Sequence, residues 1–122
     1  MKKLLFLLLL PFLGYSQDML TTDNFKTKIA KDIVVVEFWA AWNAANQFNE
    51  LPKLKDCKVY RVDITSYIDL QIDYNVEAIP TIIIFDNGEE KERFKPNIMF
   101  QLEANKKTIQ HSVDTLLLNK FN

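Results

Sequence analysis

The stretch from Val34 to Asn46, Val-Val-Val-Glu-Phe-Trp-Ala-Ala-Trp-Asn-Ala-Ala-Asn, constrains the fold more than any other part of the chain. Three valines followed by Phe38 and Trp39 have the β-branched and aromatic composition of a strand. Apolar residues hardly alternate with polar ones here, so both faces of that strand must be covered, as in a parallel sheet. From Asn43 onward Ala, Asn, Gln, Glu and Leu replace the β-formers, which reads as a helix with Asn43 as its N-cap. A strand feeding a helix sets the positive helix N-terminus at the strand end, a place that suits anions and acidifies thiols. No cysteine stands there.

Around this stretch the punctuation is regular. Thr21-Thr22-Asp23-Asn24 offers caps for a short helix through Phe25 and Ile29, and Lys31-Asp32 turns into the strand over 33–39. The helix after Asn43 carries Phe48, Leu51 and Leu54 as its buried stripe, with Pro52 kinking or ending it. A second strand is expected over 59–64 and a helix over 66–75, with Ile68, Ile72 and Val76 inward at a spacing of four. Residues 81–85 are again β-branched, and Asp86-Asn87-Gly88 is a strong hairpin turn. The charged run Glu89-Glu90-Lys91-Glu92-Arg93 reads as a solvated edge strand that Pro96 ends or bulges, with pairing resuming over 98–102. Asn105 then caps a last helix to Asn119, with Ile109, Val113, Leu116 and Leu117 facing inward. Strands alternating with helices, then a hairpin and a closing helix, specify an α/β sandwich with a mixed central sheet flanked by helices.

The first sixteen residues are of another kind. Lys2-Lys3, an apolar run over 4–10, Pro11, and Gly14-Tyr15-Ser16 form the three regions of a signal peptide cut ahead of Gln17. The apolar run is too short to span a bilayer, and no cysteine marks a lipid attachment site. The expectation is a signal peptide over 1–16, one domain over 17–122, and a periplasmic or secreted protein with no stable membrane insertion once the leader is gone. Loss of Lys2 and Lys3 lowers the basic count from 15 to 13 against 16 acidic residues, a net charge of −3. That balance excludes an electrostatic footprint for nucleic acid. Cys57 is the single cysteine, so the chain cannot close an internal disulfide even where the compartment would allow one.

Two separated motifs resemble the thioredoxin family. Phe38-Trp39-Ala40-Ala41-Trp42 followed by four residues is similar to the family's Phe-Trp-Ala-x-Trp-Cys-Gly-Pro-Cys. Asn75-Val76-Glu77-Ala78-Ile79-Pro80-Thr81, running on to Phe85-Asp86-Asn87-Gly88-Glu89, resembles its cis-proline loop and following hairpin. The resemblance covers most of residues 20–120 and implies a thioredoxin-like sandwich. It also implies that the Ile79–Pro80 bond is cis, that Pro80 meets the 42–46 loop, and that the backbone before Pro80 is free to pair with an extended peptide. In the family one cysteine attacks a disulfide as thiolate and a second resolves the mixed disulfide. The resemblance sets both on asparagines, Asn43 and Asn46, with Ala44 and Ala45 between them. Carboxamides exchange no electrons with a disulfide, so the site is either kept for binding or decayed, its asparagines merely capping a helix.

The remaining candidates are weighed on their surroundings. Glu37 falls where the resemblance implies a buried acid that serves the resolving cysteine; lacking that partner, it reads as a tolerated acid with a lysine or water beside it. Trp39 packs at the strand end, while Trp42 borders the site and forms its apolar floor. Cys57, beside a strand start, reads as an inert half-buried thiol, and His111 as a surface or packing residue. No zinc, phosphate-loop, Ser-His-Asp or paired-carboxylate signature occurs, so no cofactor or metal is expected. The binding residues are then Trp42, Asn43, Asn46, Ile79 and Pro80, and the partner an extended peptide or envelope protein. The chain reads as a redox-inactive binding module, against the alternatives of a thiol–disulfide oxidoreductase working through Cys57 and of a scaffold without ligand.

Overall fold

Val34, Val35 and Val36 lie fully buried at the centre of a four-stranded sheet. The computed structural model describes residues 18–121, so the leader and its cut ahead of Gln17 lie outside the described residues. Strand β1 (Ile33–Trp39) pairs in parallel with β2 (Lys58–Asp63) and antiparallel with β3 (Thr81–Asp86), which pairs antiparallel with β4 (Glu89–Phe94). The order is β2-β1-β3-β4, the mixed sheet expected from the sequence.

Side chains of a strand alternate between faces, and here both faces are cores. Val34, Val36 and Phe38 join Phe25, Leu70 and Phe85 on one face, under α1 (Phe25–Ile29) and α2 (Ile68–Asp73). Ile33 and Val35 join Phe48, Leu51, Ile82, Ile84, Ile109 and Val113 on the other, under α3 (Lys106–Lys120) and the segment after β1. Double coverage is why β1 reads as an unbroken apolar run. The hairpin turn holds Asn87 at φ 51° and Gly88 at φ 84°, the pair of left-handed residues that a two-residue hairpin favours. Asn105 caps α3, its Oδ1 accepting the Thr108 N–H at 2.9 Å.

Several sequence expectations are corrected. The helix after Asn43 does not form; residues Ala41–Asn46 and Leu51–Lys53 are short 3₁₀ turns, and Asn43 is no N-cap. Pro52 has no N–H and its ring opposes the carbonyl four residues earlier. In addition, the Phe48 N–H donates to Glu37 Oε2 at 2.8 Å, and the Phe48 carbonyl accepts from Arg61 at 3.2 Å. Both backbone groups that would extend a helix through Phe48 are thereby engaged elsewhere. Phe48, Leu51 and Leu54 are still buried, as the stripe required.

In α2 the apolar phase is different from the one the spacing suggested. Ile68 and Ile72 are 63% and 67% exposed, whereas Val76 is buried as expected, Leu70 is buried, and Tyr67 and Tyr74 pack beside them. Residues 67, 70 and 74 form the inward stripe, because aromatic bulk fills the space over Phe25. Arg93 of β4 is not simply solvated: its guanidinium donates to the carbonyls of Tyr74 (2.6 Å) and Asn75 (2.9 Å), closing the end of α2. Beyond Pro96 the pairing shrinks to one bridge, Pro96 to Leu102, around an exposed turn at 97–101.

Candidate functional site

β1 ends at Trp39 and β3 begins at Thr81, opposite Phe38, so the segments after β1 and before β3 meet at one end of the sheet. The Ile79–Pro80 bond is cis, as the motif implied, and Ile79 and Pro80 are buried. Asn43, 8% exposed, reaches across: its Nδ2 donates to the Ile79 carbonyl at 3.3 Å and to the Phe100 carbonyl at 3.0 Å. Its Oδ1 accepts from Asn46 Nδ2 at 2.8 Å. The carboxamide of Asn43 therefore uses both donor hydrogens and its oxygen within the protein. Ala44 and Ala45 between the two asparagines are exposed.

This geometry changes two expectations. The carbonyl before Pro80 already accepts one hydrogen bond, from Asn43, and the Ile79 residue is buried. Nor does Trp42 form a floor: it is 64% exposed on the rim, edge-on to Phe100 with ring centroids 5.5 Å apart and planes at 88°. Trp39 lies half-buried at the strand end, and its Nε1 finds no hydrogen-bond acceptor among the described residues. With no α-helix starting at Asn43, the positive helix end that would acidify a thiol there is also missing.

Beneath the loop lies a charged pair. Glu37 is fully buried on the second face of β1 and stands opposite Arg61 in the register of β2. Arg61 Nε and the guanidinium's Nη2 both lie 2.9 Å from Glu37 Oε1, while Oε2 takes the Phe48 N–H. Burial holds the Glu37 carboxyl above the usual carboxylate range, opposed by the Phe48 N–H and by Arg61. The partner is thus an arginine rather than a lysine or water. Arg61 escaped the sequence reading although its signal was present: in the alternation of β2 it shares the face of Val59, toward which Glu37 also points. Phe100, in a loop without periodicity, left no such signal.

Cys57 precedes β2, whose first residue pairs with Val34 at the start of β1, the end of the sheet opposite Asn43. It is half-buried, and its thiol is pushed up to about 11 by burial, then by Asp56 and Asp114. Iodoacetamide at pH 8 should therefore alkylate native Cys57 roughly a hundredfold more slowly than the unfolded chain, which a mass time course would read. Equal rates would show an accessible, ionised thiol. His111 is exposed on α3, and no group of three or more His, Cys, Asp or Glu among the described residues is placed to hold a metal ion.

Comparison with known proteins places these features in context. The family model described as Thioredoxin matches residues 16–111. A thioredoxin of Mycoplasma genitalium is 34% identical over 76 residues, covering 52% of this chain and 69% of the relative. Thioredoxin C-2 of Corynebacterium nephridii is 35% identical over 78 residues, covering 57% and 72%. Among solved structures, a mutant thioredoxin from Halobacterium salinarum NRC-1 superimposes with a TM-score of 0.66 at 19% identity, over 82% of this chain and 89% of that one.

Proposed function

The chain belongs to the thioredoxin family, and from that premise we propose that it is an exported, redox-inactive member whose loop pair around Asn43 and Pro80 binds an extended peptide or envelope protein. One observation carries the reading: where the two loops meet, the interacting pair is Asn43 and Asn46, hydrogen-bonded to each other at 2.8 Å. In the family alignment that the motifs suggest, those are the positions of the two redox cysteines. Carboxamides supply neither thiolate nor resolving thiol, and the Asn43 carboxamide is engaged within the protein. Dithiothreitol-driven reduction of insulin disulfides should accordingly run no faster with the protein than without it.

The relatives' shared name favours a second reading, a thiol–disulfide oxidoreductase working through Cys57. Against it stand the position of Cys57 at the far end of the sheet and a thiol pushed up to about 11. Acceleration of insulin reduction that Cys57→Ser abolishes would establish that reading and retire ours. Export rests on the leader pattern of residues 1–16. Intact mass of the protein recovered from the cell envelope or medium should put the N-terminus at Gln17, and recovery of the full chain from the cytosol would remove export from the proposal.

A further inference from the structure

We propose that the peptide edge of this site is closed by the chain's own 97–101 turn, with Asn43 as the latch, so that an extended peptide docks only when the turn swings away. The inference rests on the peptide-binding reading above and names its regulation. An incoming strand at the loop before Pro80 must reach the backbone of Ile79, which is buried, and Asn43 Nδ2 already takes one acceptor position of its carbonyl. The other amide hydrogen of the same Nδ2 ties down the turn through the Phe100 carbonyl, so one side chain joins the edge to its cover. The Phe100 ring in turn lies against Trp42 on the rim.

The cover is built as a separate unit. Asn97 Oδ1 accepts from the amides of Met99 (2.9 Å) and Gln101 (3.1 Å), and the Asn97 carbonyl accepts from Phe100 N at 3.0 Å. Its stem is the single Pro96–Leu102 bridge. Phe100 is at φ 58°, a left-handed conformation that costs a residue with a Cβ, and it is held by its own N–H on the Asn97 carbonyl together with its contacts to Asn43 and Trp42. Ile98 and Met99 are 96% and 67% exposed, so the turn has little apolar anchorage of its own. The turn is tied to the site by one carboxamide and one aromatic edge, so breaking that tie is what would favour the proposed open position.

The test uses the protein with Asn43→Ala, and with Phe100→Ala as a second, independent opening. Amide hydrogen exchange at residues 43 and 47, in the loop tied to the turn, and iodide quenching of tryptophan fluorescence report the latch. Binding of fluorescein-labelled, carboxymethylated insulin B chain, an extended polypeptide without free thiols, reports occlusion. Loss of the Asn43 hydrogen bonds should speed exchange and raise the association rate of the B chain about five- to tenfold, with dissociation little changed. Phe100→Ala should act in the same direction. Exchange and association equal to the wild type in both variants, with the B chain bound by all three proteins, would overturn the latch and leave the peptide site standing. Faster exchange with no B-chain binding in any of the proteins would overturn the occlusion by removing the peptide-binding reading beneath it.

Discussion

Arg61→Met is expected to destabilise the fold by about 3–5 kcal/mol, because it leaves the Glu37 carboxylate buried without its charge partner. Glu37 is fully buried and the Arg61 side chain only 11% exposed, so solvent cannot replace the arginine. The substitution also frees the Phe48 carbonyl, and the loop that carries Asn43 and Asn46 loses one of its two ties to the sheet. Glu37→Gln removes the titrating group but offers one acceptor where the carboxylate offers two, and it leaves Arg61 without a counter-charge, so it too should destabilise the fold, without the dependence on pH.

The deficit should depend on pH in a definite direction. Glu37 has its folded-state pKa raised, so the folded protein holds this proton to higher pH than the unfolded chain does. Its contribution is fully present below the ordinary carboxylate value and is lost as pH rises through the raised one. Removing Arg61 takes away a lowering influence and extends that window upward. Urea unfolding of Arg61→Met against wild type should therefore show a larger deficit at pH 8 than at pH 5, and the difference should vanish in a Glu37→Gln background. A deficit below 1 kcal/mol, or one independent of pH, would mean that the pair is not what holds the loop.

Asn43→Cys combined with Asn46→Cys should yield a protein that oxidises readily to an intramolecular disulfide, since the two side chains already meet at 2.8 Å. Residues three apart in a 3₁₀ turn lie over one another, which brings the sulfurs into reach. Closing so small a loop should stabilise the oxidised form over the reduced by about 2 kcal/mol on the chain-entropy account. Reductase activity is a separate matter. The turn is only six residues long, with Asn43 outside helical geometry, so no helix dipole acidifies a thiol at position 43. That thiol should titrate no lower than about 8.5, and insulin reduction should return only weakly. Alkylation across pH and an insulin assay on the double variant would check both halves; a pair that stays reduced in air, or a thiol titrating near neutrality, would contradict the geometry.

The sequence by itself determined the sheet. Its strands announce themselves through doubly covered apolar runs such as 33–39 and 81–86, through the Asn87-Gly88 turn and through a charged edge, all local consequences of which side chains water must not reach. It also brought the loops of Trp42 and Pro80 to one end, because motif order and strand direction leave them no other place. Tertiary structure alone decided what fills that end. Whether residues after Asn43 form a helix depended on who captures the backbone of Phe48, and the captors, Glu37 and Arg61, come from two different strands. The inward face of α2 depended on which bulky groups met Phe25, a packing question that a four-residue spacing cannot answer. The bond from Asn43 to Phe100 spans 57 residues and joins two loops without periodicity. Short-range pattern encodes burial, which each segment settles for itself; hydrogen bonds between distant polar groups exist only once the segments have been brought together, and the character of this site rests on them.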